Sequence, residues 1–125
     1  MSNVRVAATA FACVVLNGAM AASVPTFPLA AGVYQFQISD AEFDGKFSYA
    51  ASVTIHDMHI SAIMVTCGGP FPCNELFTEG TIFWHQRSGQ WIIAQNKEDF
   101  DAEEVGGCSG GPMTIDPQQR IIWYC

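Results

Sequence analysis

A chain of 125 residues, half of them hydrophobic, is long enough for one compact core and too short for two. Twelve Asp and Glu against five Lys and Arg set the formal net charge at −7. Such acidity excludes the basic stripe that nucleic-acid binding requires and the basic segments that draw proteins to anionic membranes, and leaves solubility or a cationic partner as its physical uses.

Residues 1–22 follow the order of a cleavable secretion signal. Arg5 stands in a short start, Val6 to Leu16 form an apolar run, Asn17-Gly18 break it, and Ala19-Met20-Ala21 supply the small-x-small pattern for cleavage after Ala21 or Ala22. A run of about 11 apolar residues falls short of the roughly 20 that span a bilayer, so no membrane insertion is expected once the leader is gone. Lipidation at Cys13 is the weaker alternative, because Phe11 fits badly there and the apolar run would be cut in two. Cleavage removes Arg5 and leaves Lys46, Arg87, Lys97 and Arg120 against all 12 carboxylates, a net charge of −8. The expected destination is the periplasm or the outside of the cell.

Four cysteines follow the leader: Cys67, Cys73, Cys108 and Cys125. An even number in an oxidising compartment reads as disulfides. Zinc is the competing reading, but its cysteine ligands come as tight C-x-x-C pairs, whereas five and 16 residues lie between these. Three connectivities are open, of which Cys67 with Cys73 and Cys108 with Cys125 asks least of the fold.

In chain order, residues 23–31 hold two prolines and no period, and read as an extended arm. Gly32 to Asp40 alternates, with Tyr34, Phe36 and Ile38 on one face. Lys46 to His56 alternates too, placing Phe47, Tyr49, Ala51, Val53 and Ile55 inward. Asp44-Gly45 supplies the positive φ of a hairpin turn between them. A third run, Ile60 to Thr66, is apolar on both faces and predicts a central strand after a short turn at Asp57-Met58. Cys67 to Gly80 contains Gly-Gly-Pro and a second proline, and reads as a loop pinned by its own cysteines. Strands resume at Thr81 to Gln86 and Trp91 to Asn96. Asn96 is placed to cap a short helix over the acidic Lys97 to Val105, with Gly106 as its stop, and a polar linker is the rival reading of this segment. Pro112 to Ile115, a turn at Asp116-Pro117 and Arg120 to Cys125 close the chain. The expectation is a single all-β domain over residues 32–125: a small antiparallel sandwich or barrel of six to seven strands, with one short helix at most, stapled by disulfides.

Several constellations bear on chemistry. Gly107-Cys108-Ser109-Gly110-Gly111-Pro112 resembles the Gly-Asp-Ser-Gly-Gly-Pro segment around the nucleophile of trypsin-like serine proteases. Cys108 replaces the acid of that motif, the chain is about half the length two barrels need, and no Ala-Ala-His-Cys element is present. The glycines read instead as a disulfide-anchored turn, whose backbone N–H groups could form an anion nest. His56, His59 and His85 are weak metal candidates. His56 and His59 converge only if the Asp57-Met58 turn pairs them across strands, and His85 would have to arrive from a neighbour. Carboxylate pairs such as Glu75 with Glu79 or Asp99 with Glu103 are expected by chance among 12 acids. No cofactor motif is read.

The aromatics carry more. Phe71 and Phe77 in the Pro-Gly loop and Trp84 beside Phe83 are candidate binding anchors, since a disulfide-held aromatic loses little entropy on docking; the competing reading folds Phe71 and Phe77 back to cap the core. The acidic stretch Glu98, Asp99, Asp101, Glu103 and Glu104 is the candidate steering patch. The function expected is therefore an exported, non-enzymatic binding protein, of the inhibitor or immunity type, occluding a basic envelope-acting enzyme or toxin. A small-molecule or metal-binding barrel, and then a small hydrolase, are the alternatives.

Overall fold

The computed structural model describes residues 23–125; the expected leader, with Cys13, lies outside the described residues. Seven strands follow one another: β1 (Gly32–Asp40), β2 (Ser48–His56), β3 (His59–Met64), β4 (Leu76–His85), β5 (Gln90–Ala94), β6 (Met113–Asp116) and β7 (Ile121–Tyr124), with a 3₁₀ turn over Lys97–Asp101 between β5 and β6. Each strand pairs with the next, and β7 returns to β1 to close a barrel. The parity of seven fixes the last joint. Six successive antiparallel pairings leave the first and seventh strands pointing the same way, so closure has to be parallel, and Ile38 sits beside Ile122 and Asp40 beside Tyr124. Gln37 N–H donates to Arg120 O at 2.9 Å and Ala41 N–H to Tyr124 O at 2.8 Å across that joint. Closure leaves no open sheet edge and decides for the barrel over the sandwich.

The period of two puts Phe36, Ile38, Val53, Ile60, Ile93 and Ile122 inside, all fully buried. The barrel is packed with side chains. Its hairpins obey the turn chemistry in the sequence: Asp57 and Met58 both take positive φ, giving a two-residue connection, and Asp116 Oδ1 accepts from Gln118 and Gln119 N–H at 3.0 Å each.

Four expectations need correction. Phe47 is not inward but 46% exposed, because β2 begins at Ser48 and the Asp44-Gly45 turn belongs to a longer loop; outside the barrel Phe47 packs edge-on to Phe43. The loop after β3 is shorter than Cys67–Gly80. Met64 N–H donates to Glu75 O, Leu76 pairs with Ile63 across a bulge, and β4 therefore starts five residues before Thr81. β3 is central, between β2 and β4, but the doubly apolar run is not covered on both faces throughout, for Val65 just beyond the strand is 52% exposed. The acidic helix is a 3₁₀ turn ending at Asp101, and Gly106 serves another purpose described below.

Both disulfides join the local pairs, Cys67 with Cys73 and Cys108 with Cys125, at Cα separations of 4.8 and 5.2 Å. They are compatible with an oxidising, extracellular or periplasmic compartment. At one end of the barrel Phe71 turns inward and meets Phe77, Tyr124 and Tyr49 edge-on, with centroids 5.0, 5.2 and 6.2 Å away. The capping reading of Phe71 and Phe77 is the one realised, and the tip of the Cys67–Cys73 loop presents glycine and proline.

Two predictions follow from this architecture. Replacing Cys108 and Cys125 by Ser opens the longer loop and should cost roughly 3 kcal/mol in chemical denaturation, against about 2 kcal/mol for Cys67 and Cys73, if loop-closure entropy dominates. Burial first, then the Asp40 carboxylate and the Tyr49 phenol, raises the Tyr124 hydroxyl above its ordinary 10.0. The fold favours the neutral phenol, so this contribution is fully present below the unfolded value and is lost as pH rises through the raised one. Tyr124→Phe should flatten the alkaline limb of a stability-versus-pH curve while leaving its neutral plateau in place.

Candidate functional site

The opposite end of the barrel is closed by the arm. Phe27 drops into the mouth and packs edge-on against Trp91 at 5.1 Å, and Trp91 in turn meets Trp84 at 5.1 Å. Tyr34 Oη donates to Ala30 O at 2.7 Å and ties the arm to β1. Pro25 and Pro28 hold the segment extended, as the sequence indicates. On one side of the arm lies a groove of about 700 Å³, walled by Phe27, Met58, Phe83, Trp84, His85, Arg87, Phe100 and Asp101. A smaller groove of about 470 Å³ lies on the other side, with Trp84 and Trp91 common to both.

The outer wall of the larger groove is built by the segment between β5 and β6. After β5 the chain turns back along the outside of the barrel. Asn96 caps the 3₁₀ turn by accepting from Asp99 N–H at 3.2 Å, while Asp99 Oδ2 accepts from Gln95 and Asn96 N–H at 2.8 and 3.2 Å. This reciprocal box fixes the path. Phe100 then lands edge-on against Phe83 at 4.9 Å, and His85 holds the next residue. Because a carbonyl only accepts, His85 Nε2–H is the donor to Ala102 O at 2.6 Å; Nδ1 is left to accept from Ser88 Oγ at 2.7 Å. One buried imidazole thus joins the β4–β5 turn to the acidic segment. Ile92, in register between Phe83 and Thr114, is buried on the outer face of the sheet beneath this wrap. Gly106 passes so close that a Cβ there would lie 2.7 Å from Thr114 Cγ2, and its φ is +65°. Only glycine fits both conditions.

The expected site residues separate into two groups. Trp84 and Asp101 line the groove; Glu98, Glu103 and Glu104 stand exposed on the same wrap. Asp99 lies on the same segment, but its carboxylate is engaged as a cap. Phe71 and Phe77 belong to the far end and take no part. Phe83, Phe100 and Phe27 join the site without a sequence expectation; a lone phenylalanine inside KEDFDAEEV is the one signal the sequence offers for Phe100. Among the described residues no Lys or Arg lies within 4.0 Å of a carboxylate, the single ion-pair contact being His56 with Asp57.

The remaining constellations resolve differently. Ser109 Oγ donates to Gly106 O at 2.7 Å and accepts from Gly111 N–H at 3.2 Å, so it organises the glycine turn. The N–H groups of Ser109 and Gly111 bond within that turn, to Gly106 O and Ser109 Oγ, so these two members of the expected nest are already engaged. His56 and His59 are register partners, whereas His85 is buried elsewhere. Among the described residues no three His, Cys, Asp or Glu are grouped to hold a metal ion. Comparison with known protein families, with curated proteins and with solved structures finds no match to this chain.

His85 is the group to test. His85→Ala leaves the Ala102 carbonyl without its buried donor and should cost about 1–3 kcal/mol. Hydrogen exchange should quicken locally over residues 97–102, where a purely global loss would raise exchange throughout.

Proposed function

We propose that this chain is an exported, non-enzymatic binding protein of the inhibitor or immunity type, which docks and occludes a basic envelope-acting enzyme or toxin. The observation that carries the reading is the juxtaposition at the groove rim. Phe83 and Phe100 are each 37% exposed and line the groove with Asp101 and Arg87, Glu98, Glu103 and Glu104 stand exposed on the same wrapping segment, and among the described residues no Lys or Arg lies within 4.0 Å of any of these carboxylates. An aromatic pair held edge to edge loses little freedom on docking, and uncompensated carboxylates around it raise the rate at which a cationic surface arrives. The leader read from residues 1–22 and the two disulfides support a role outside the reducing cytoplasm. Since Phe71 is turned into the barrel end, the docking face is the groove side rather than the Cys67–Cys73 loop.

Association of the mature protein with purified basic wall hydrolases tests this directly. Its rate constant should fall about tenfold or more as ionic strength is raised through the physiological range, and the double variant Glu103→Lys, Glu104→Lys should slow association with little change in dissociation. Phe100→Ala should instead hasten dissociation. An association rate indifferent to both salt and charge reversal would remove the steering claim, and wall hydrolysis unaffected at saturating binding would remove occlusion.

A further inference from the structure

We propose that His56 and His59 form a bidentate imidazole site for a divalent transition metal, preferring copper(II), on the outer face of the β2–β3 hairpin. This inference is independent of the docking reading. The two residues are direct register partners at the end of the ladder, flanking the Asp57-Met58 turn. Their neighbours Ile55 and Ile60 are buried, which places both histidines on the opposite, solvent face of the same two strands. Positive φ at Asp57 and at Met58 fixes the turn, so the pairing of the two histidines is set by the backbone before any ion arrives.

Cross-strand partners carry their Cβ atoms about 4.5–5.5 Å apart. Imidazole nitrogens each about 2.0–2.1 Å from a metal stand roughly 3 Å from one another, a separation that two rings on such a pair reach by rotation about their side-chain bonds. Asp57 adds an orienting group. Its Oδ2 is 3.3 Å from His56 Nδ1, the carboxylate–histidine arrangement that leaves Nε2 to face an ion. Beyond the pair, Thr81 stands beside His59 on β4 and Glu79 two residues along it, opposite Ser61, so Asp57 and Glu79 are the charged groups that bear on the site from its own hairpin and from the adjoining strand. Both favour a cation. The third histidine is unavailable, since Ala102 and Ser88 hold its two nitrogens. With no third protein ligand grouped there among the described residues, water completes the coordination sphere. Affinity then follows the general order for nitrogen donors, copper(II) ahead of nickel(II) and zinc(II).

The test is titration of the isotopically labelled mature protein, stripped with chelator and dialysed, with copper(II), nickel(II) and zinc(II) chlorides near neutral pH. Calorimetry reads affinity and amide spectra read position. One equivalent of copper(II) should bleach the amides of residues 54–61 first, and zinc(II) should shift the same signals. Loss of even an outer-shell partner of a metal ligand costs roughly 10–100-fold in affinity, so His56→Asn and His59→Asn should each weaken copper binding by at least about tenfold. Both side chains are exposed, and unfolding curves of the variants should overlay the parent. Bleaching centred elsewhere, such as the acidic turn, overturns the proposal. So does either variant that binds copper as tightly as the parent, or the absence of saturable binding.

Discussion

The parallel ladder between β1 and β7 is the joint on which every other feature rests. Without it the sheet would have two open edges, and the interior would face water along the seam between Ile38 and Ile122, both fully buried when it is closed. Closure also defines two ends. One is sealed by the Tyr49, Phe71, Phe77 and Tyr124 rings, the other by Phe27 seated on Trp91. Phe71 and Phe27 lie on segments that have no ladder of their own, so the packed barrel and its strand aromatics are what give them somewhere to go.

A barrel closed on itself still has an outer wall, and here part of that wall is apolar. Phe83 and Ile92, with His85 and Thr114, form a strip across β4 to β6 that the chain between β5 and β6 folds back to cover. The wrap is pinned at three places: the Asn96–Asp99 cap, the His85 to Ala102 bond, and the Gly106 approach to Thr114. Cys108–Cys125 then ties its descending limb to the end of β7. The segment that folds over Ile92 also brings Phe100 and Asp101 to the wall of the groove that Trp84 lines.

The charge pattern gives that rim its character. Twelve carboxylates without a Lys or Arg partner within 4.0 Å among the described residues produce an outward field that internal pairing does not quench. At physiological salt such a field extends only about 8 Å, so in the proposed docking it acts on encounter and orientation while the aromatic edge governs residence. The two contributions act at the same place on the surface. The His56–His59 pair belongs to the hairpin at the same end of the barrel, whose Met58 lines the groove, and rests on turn geometry alone.

Strand periodicity, turn residues and cysteine spacing were legible because each is a local property: alternation at β1 and β2, positive-φ residues at Asp44-Gly45 and Asp57-Met58, and short loops that favour neighbouring cysteines. The composition likewise determined that the chain is acidic, and its period-two alternation that it is of β class. Burial of particular aromatics was not legible. Phe47 and Phe71 alternate or stand in loops without regard to which side of a closed wall they meet, and the sequence assigned Phe47 inward and left Phe71 open. Barrel against sandwich, the covering of Ile92 and the meeting of Phe83 with Phe100 were decided only in three dimensions. Those contacts join residues far apart in the chain, and their energies depend on closure, which no local window of sequence contains.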